Sequence, residues 1–124
     1  MLQEFPRVRQ EAAGYRRLFQ NARYSLYVWY ESKSSLAVEG FQLTYMEDDD
    51  MKAYTWLKQS GSSHMAVDGW DSHRFNKTPV LIADGKPNLA FLLSEMRQEL
   101  AALESSIRDL VIGVLEAEAL KPQP

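Results

Sequence analysis

The spacing of apolar residues near the N-terminus follows a helical period. Residues 6–21 place an apolar residue at every third or fourth position, as one face of a helix requires. Pro6 suits a first helical turn, where its missing N–H needs no partner. The apolar positions are Val8, Ala12, Tyr15 and Leu18/Phe19. The pattern predicts an N-terminal helix within residues 1–22.

Further along the chain the period changes to two, which is typical of strands with one buried face. Tyr24–Glu31 is rich in aromatic and β-branched residues and alternates in this way. Four more segments of this kind follow, at 41–47, 51–59, 63–69 and 78–85. The acidic segment Glu47–Asp50 is typical of a solvated turn, so it predicts a hairpin. Consecutive strands joined by short turns predict an antiparallel meander over residues 23–86.

Residues 88–120 return to a helical period. Apolar residues recur there at alternating steps of three and four, which favours helices with one apolar seam. The seam consists of Leu93, Met96, Leu100, Leu103, Ile107, Leu110 and Val114. The segment Ser106–Asp109 resembles a capping box, so we expect two helices, 88–103 and 106–119, with one continuous helix as the alternative. Residues 121–124 are expected to fray.

Together these elements predict an α+β fold. We expect an antiparallel sheet of about five strands, with one N-terminal helix and one or two C-terminal helices packed on it. A chain of 124 residues has the size of one domain, 1–124. The absence of cysteine excludes a disulfide framework and a cysteine nucleophile. The chain has neither the apolar core of a signal peptide nor a membrane-spanning apolar run, so we expect a cytoplasmic protein.

The charge of the chain argues against nucleic acid as a partner. The net charge is −3, and the first 24 residues carry five arginines against two glutamates, so the rest of the chain is acidic. Nucleic-acid-binding domains normally show a basic stripe or patch. The N-terminal arginines are explained more simply as the polar face of the predicted helix.

Both histidines lie in one stretch, "SGSSHMAVDGWDSHRF", at residues 60–75. On a straight strand His64 and Asp68 would be roughly 13 Å apart, too far to share a metal ion. A fold-back beyond Asp68 would bring Asp71 or His73 to His64, giving ligands that zinc or manganese accepts. His64, Asp68 and His73 are also the candidates for acid–base catalysis. The alternative is a connector with structural or exposed histidines, and no cofactor is predicted.

Apolar residues occur on both faces of the predicted strands, so the second face needs a cover. The N-terminal helix is one cover, and a second copy of the chain in a homodimer is the other. Trp29, Trp56 and Tyr54 are the candidate interface residues. With Tyr27, the same residues offer rings that could stack on the bases of single-stranded nucleic acid, although the acidic charge makes this binding unfavourable.

Several blocks occur in an order that resembles a family of small bacterial proteins with no assigned activity. They are "LYVWYE", "GFQLTY", "TW", "SHMAVDG" and "TPVLIADG", and the likeness covers roughly residues 15–119. The matching positions are Ser63, His64, Val67, Asp68, Thr78, Pro79, Asp84 and Gly85. The chain departs from the family pattern at "GWDSHRF" after Asp68, and at "ESS", where the family has a proline-containing helix break. The resemblance implies one compact bacterial domain and no particular reaction.

These observations favour a small cytoplasmic domain that acts by binding, as a homodimer. The alternative is a histidine-dependent enzyme or metal-binding protein with its site around residues 64–73. Binding of single-stranded nucleic acid on the aromatic sheet is a third hypothesis, and a membrane partner is not expected.

Overall fold

One antiparallel sheet of seven strands carries two helices on one of its faces. The structure, a computed structural model, describes residues 1–8, 10, 14–35, 37–47, 50–68, 80–83 and 88–120. Of these, Glu47, 64–68 and 80–83 are described by their backbone alone. The elements are β1 (Gln3–Phe5), β2 (Tyr15–Gln20), β3 (Tyr24–Tyr30), β4 (Val38–Glu47), β5 (Asp50–Leu57), β6 (Gly61–Asp68), β7 (Val80–Ala83), α1 (Leu89–Glu99) and α2 (Ser105–Ala119).

The strands are hydrogen-bonded in chain order, and every pair is antiparallel. The α+β class and the meander are therefore confirmed, while the sheet has seven strands rather than five. The register places Leu26 opposite Leu43, and Leu43 opposite Tyr54. Because register partners point to the same face, one face carries continuous rows of large apolar side chains. A bulge beside Trp29 shifts the β3–β4 register by one residue at the end of β3.

The predicted N-terminal helix is wrong, because Gln3–Phe5 and Tyr15–Gln20 are strands. Gly14, just before β2, has a φ of 80°, a left-handed conformation that a regular helix does not contain. The alternation within β2 was hidden because Arg17 shares a face with buried Phe19. A charged residue at an inward position breaks the apolar–polar pattern on which the strand prediction depends.

The two C-terminal helices supply the second layer of the core. Their buried residues are spaced by four, namely Leu92 and Met96 on α1 and Ile107, Val111 and Leu115 on α2. These side chains pack in one cluster with the inward rows of β2 to β5, which include Phe19, Leu26, Val28, Phe41, Leu43, Tyr45 and Tyr54. Asn88 caps α1, its side-chain oxygen accepting the N–H of Phe91 at 3.1 Å. The buried side of the helices shares only Met96, Leu100 and Ile107 with the predicted seam, whose other residues are partly buried against the core. The prediction of two helices is confirmed.

The glycines at positions 40 and 113 give a matched test of this packing. A Cβ on Gly40 would lie 2.4 Å from the carbonyl oxygen of Trp56, whereas a Cβ on Gly113 would meet nothing within 4 Å. We expect Gly40→Ala to lower the stability by about 1 to 3 kcal/mol through overpacking against backbone. We expect Gly113→Ala, inside α2, to raise it by about 1 kcal/mol through helix propensity.

Thermal unfolding followed by circular dichroism measures both changes. The Gly113→Ala protein should melt about 4 °C above the parent, and Gly40→Ala below it. A Gly40→Ala protein as stable as the parent would show that β4 and β5 are not packed as described.

Candidate interaction surface

The two faces of the sheet differ in their cover. Both helices lie on the face that carries Leu26, Phe41 and Tyr54. The opposite face, here termed the open face, has no helix on it within the part of the chain that the structure describes. Its positions follow from the strand register, because register partners share a face. From β1 to β6 they are Gln3, Phe5, Arg16, Leu18, Gln20, Ser25, Tyr27, Trp29, Gly40, Gln42, Thr44, Met46, Met51, Ala53, Thr55, Leu57, Gly61 and Ser63.

The open face is nearly free of charge. Arg16 is the only charged residue among the positions just given. Charged residues make up 25% of the chain, so a solvated sheet face of this size would ordinarily carry several. The cores of protein interfaces are depleted of lysine and acidic residues and enriched in aromatic residues, methionine and arginine. The open face shares with interface cores its lack of lysine and acidic residues and its content of aromatic residues and methionine.

Large side chains occupy one half of the open face, on β1 to β3. This aromatic ridge consists of Phe5, Leu18, Tyr27 and Trp29, with Phe5 opposite Leu18 and Leu18 opposite Tyr27. The guanidinium of Arg16 lies 5.3 Å from the centre of the Tyr27 ring, a cation–π distance. Leu18 is buried, whereas Tyr27 and Trp29 are half-buried and Phe5 is exposed. The ridge therefore retains aromatic surface for a partner.

Most side chains on the other half, on β4 to β6, are small or polar, and the larger apolar ones there are Met46, Met51 and Leu57. This small-residue valley consists of Gly40, Thr44, Ala53, Thr55 and Ser63. Gly40 has no room for a side chain, and Ala53 is only 1% exposed. Gln42 crosses the valley and donates a hydrogen bond from its amide to the Thr55 hydroxyl at 3.0 Å. The valley is thus lower than the ridge and carries no unpaired charge.

The three interface residues predicted from the sequence do not share a face. Trp29 lies on the open face, opposite Gly40 in the register. Tyr54 and Trp56 lie on the helix-covered face, where both rings pack near Phe41 at 6.3 and 6.0 Å between centres. Tyr54 is 1% exposed and belongs to the core. Of the four aromatic residues proposed to stack on bases, only Tyr27 and Trp29 lie on the open face.

The histidine site predicted from the sequence falls mostly outside the described residues. His64 lies on β6 with Tyr54 as its register partner, and Asp68 ends the same strand opposite Val80. Asp71 and His73 lie outside the described residues. The described part of the chain contains no group of three His, Cys, Asp or Glu residues that could hold a metal ion. The metal-binding or catalytic site around residues 64–73 stays a prediction.

An ion cluster on the helix-covered side joins β1, β2 and the start of α2. Arg17 donates two hydrogen bonds to the Glu4 carboxylate, at 2.9 and 2.7 Å, and lies 2.7 Å from a carboxylate oxygen of Glu104. The hydrogen bond from Arg17 holds the pKa of Glu4 below its ordinary value, and the pKa of Arg17 is raised by the same bond. Because the carboxylates are both occupied by one cation, the cluster is a structural clamp rather than an acid–base pair.

A second cluster fixes α1 against the β2–β3 turn. The side-chain oxygen of Asn21 accepts the backbone N–H groups of Arg23 and Tyr24, both at 2.8 Å, and its amide donates to Glu99 at 2.6 Å. Glu95, one turn earlier on α1, accepts from Arg23 at 2.8 Å and from the Tyr24 hydroxyl. Burial, followed by the hydrogen bond to Glu95, raises the pKa of Tyr24. The tyrosine is therefore a neutral donor at physiological pH.

A cleft of about 290 Å³ lies between α2 and the β5–β6 hairpin. Trp56 and Ser62 line its sheet side, and Gly113 and Glu118 line its helix side. The Tyr54 hydroxyl donates to the Ser62 hydroxyl at 2.8 Å, and burial raises the pKa of Tyr54.

Comparisons of the chain with protein-family models, with curated proteins and with solved structures find no match. The resemblance to a bacterial family therefore stays a prediction, as does bacterial origin. No helix among the described residues is long and apolar enough to cross a membrane.

The Glu4–Arg17 clamp predicts a loss of stability in acid. Because the pKa of folded Glu4 lies below the ordinary value of 4.5, the clamp stabilises the fold at neutral pH and is lost as the pH falls through the lowered pKa. Glu4→Gln should lower the melting temperature at pH 7 and have no effect at pH 2. Since the Glu4 side chain is 41% exposed, the loss should not exceed about 1 kcal/mol.

Melting curves of the parent and the Glu4→Gln protein at pH 7, 5, 4, 3 and 2 test this expectation. Glu31→Gln, at an exposed glutamate, is the matched control and should change little at any pH. A Glu4→Gln effect of equal size at pH 7 and pH 2 would contradict the assignment of the clamp to the ionised carboxylate.

Proposed function

We propose that the protein is an interaction domain that binds protein through the open face of its sheet. The observation that carries the proposal is the composition of that face, whose described positions include three aromatic residues, two methionines and a single charged residue, Arg16. Apolar surface of this extent is costly to leave in water and is common at sites of protein association. The homodimer expected from the sequence is one such association.

The geometry supports protein better than nucleic acid as the ligand of this face. Tyr27 and Trp29 offer rings for stacking, but Arg16 is the only cation among the described open-face positions and already lies over Tyr27. Contacts to phosphates supply most of the nonspecific affinity for nucleic acid, and one arginine provides little of it. A largely uncharged partner surface complements the open face without leaving charges desolvated.

The composition of the open face also argues against a catalytic role for it. Its described positions hold no histidine and no carboxylate, so it lacks the groups that general acid–base catalysis uses. Hydroxyl and amide side chains such as Thr55 and Gln42 are already hydrogen-bonded to each other. A face of this kind is suited to contact and not to proton transfer.

Site-specific photocrosslinking tests the proposal. p-Benzoylphenylalanine is placed at position 29 on the open face and, in a second protein, at position 91 on α1, where Phe91 is 42% exposed on the other side of the molecule. Both proteins are irradiated in the cells that produce the chain, and the adducts are identified by mass spectrometry. We expect defined protein adducts from position 29 and none from position 91.

Three other results would contradict the proposal. Equal crosslinking from positions 29 and 91 would show only random collision, and no adduct from position 29 would show that the face has no partner. Adducts of position 29 with RNA or DNA, lost in high salt, would replace protein by nucleic acid as the ligand.

A further inference from the structure

We infer that the partner of the open face is a second copy of this chain, bound face to face about a twofold axis that runs parallel to the strands between β3 and β4. The inference rests on the proposed function, since it names the partner of the same surface. It is carried by three properties of the open face, which are its relief, its area and its charge.

The relief of the open face is self-complementary under this rotation. A twofold axis parallel to the strands exchanges the two halves of the face, so the ridge of each copy covers the valley of the other. Trp29 of one copy then lies over Gly40 of the second copy, because the two residues share one height in the register. In the same way Tyr27 meets Gln42, and Leu18 meets Thr55, at the next height. The largest side chain of the face thus meets Gly40, one of the two glycines of the face, and Arg16 at the same height meets Leu57.

Contacts within the single chain exclude a side chain at position 40. Its missing Cβ would lie 2.4 Å from the Trp56 carbonyl oxygen, so no larger residue fits there even in the isolated protein. The same Cβ would lie 2.8 Å from Cδ2 of Leu57, so the Leu57 side chain borders the position that the partner's Trp29 ring would cover. Packed sheet faces lie about 10 Å apart, a spacing that a tryptophan over a glycine fills without a clash.

The area of the open face fits a stable dimer. The six strands that overlap under this rotation, β1 to β6, lie about 4.8 Å apart and average about seven residues, which gives a projected area of roughly 650 to 700 Å². The side-chain relief raises the accessible area above this value. A standard specific interface buries about 800 Å² on each partner, so one open face is the right size for another.

The charge of the chain favours the same arrangement. Each copy carries a net charge of −3, so two copies repel each other in most orientations. The described positions of the open face include no aspartate or glutamate, so a contact between two open faces brings no acidic groups together. Pairing through it keeps the carboxylates of the two copies apart. Because so few charges meet, the dissociation constant should change less than about threefold between 50 and 500 mM NaCl.

Sedimentation equilibrium of the purified full chain, from about 0.1 to 100 µM, tests the inference. We expect a reversible monomer–dimer equilibrium. Trp29→Glu on the ridge and Thr55→Glu in the valley should each weaken it at least tenfold, because each buries an unpaired charge. Phe91→Glu on α1 is the matched control and should leave it unchanged. A melting curve first shows that each variant is folded. If Trp29→Glu does not fold, Thr55→Glu carries the test, because it replaces a smaller side chain.

A mixing experiment tests the ridge-over-valley geometry. Tyr27→Lys and Gln42→Glu proteins should each be largely monomeric, and should form a mixed dimer when combined, because the lysine of one copy faces the glutamate of the other. A dimer that survives both glutamate substitutions, or variants that fail to complement each other, would overturn the inference. A chain that stays monomeric at 100 µM would overturn it too. In that case adducts to another protein from position 29 would leave the proposed interaction function standing, and the absence of any adduct would remove both.

Discussion

The fold depends on the contact between the inward rows of the sheet and the apolar sides of α1 and α2. Leu26, Leu43 and Tyr54 are register partners on three successive strands, so they form one row across the sheet. A slip of one residue in any pair would turn that strand's apolar set toward the opposite face. Since Leu92 and Val111 are completely buried against this layer, the same contact fixes the strand order, the register and the position of both helices.

Polar contacts determine where the ends of the helices lie on that layer. Glu95 and Glu99, one turn apart on α1, are bound by side chains of the β2–β3 turn. Glu104, at the start of α2, is bound by Arg17 from β2. Such contacts add little net stability when they are partly exposed, but they require a particular geometry. Their consequence is positional, since they hold the ends of both helices against one face of the sheet.

The sequence pattern was sufficient where alternation was uninterrupted. The strands β3 to β6 are predicted within about three residues, and in β3 and β4 the inward positions from Tyr24 to Tyr30 and from Phe41 to Tyr45 are all apolar or aromatic. The strand pattern of β2 is not evident because Arg17 occupies an inward position. The charge of Arg17 is balanced there by Glu4 and Glu104, and no local sequence pattern shows these contacts. The faces of the aromatic residues were misjudged for a related reason. The sequence alone does not show which face Tyr54 and Trp56 share. The register between β4 and β5 places them on the face opposite Trp29.

The open face also bears on how folding and association are related. Leu18 and Ala53 are already buried within the single chain, although both point to the open face. The helix-covered core is complete as well, with no buried side-chain polar atom left unpaired among the described residues. A chain with these properties can fold without a partner, unlike obligate dimers whose monomers lack a stable core. The association that we propose through the open face would then be a separate step governed by concentration. Tyr27 and Trp29 lie on β3, whose other face packs in the core through Leu26 and Val28. Folding of the single chain therefore places both rings on the open face before any association.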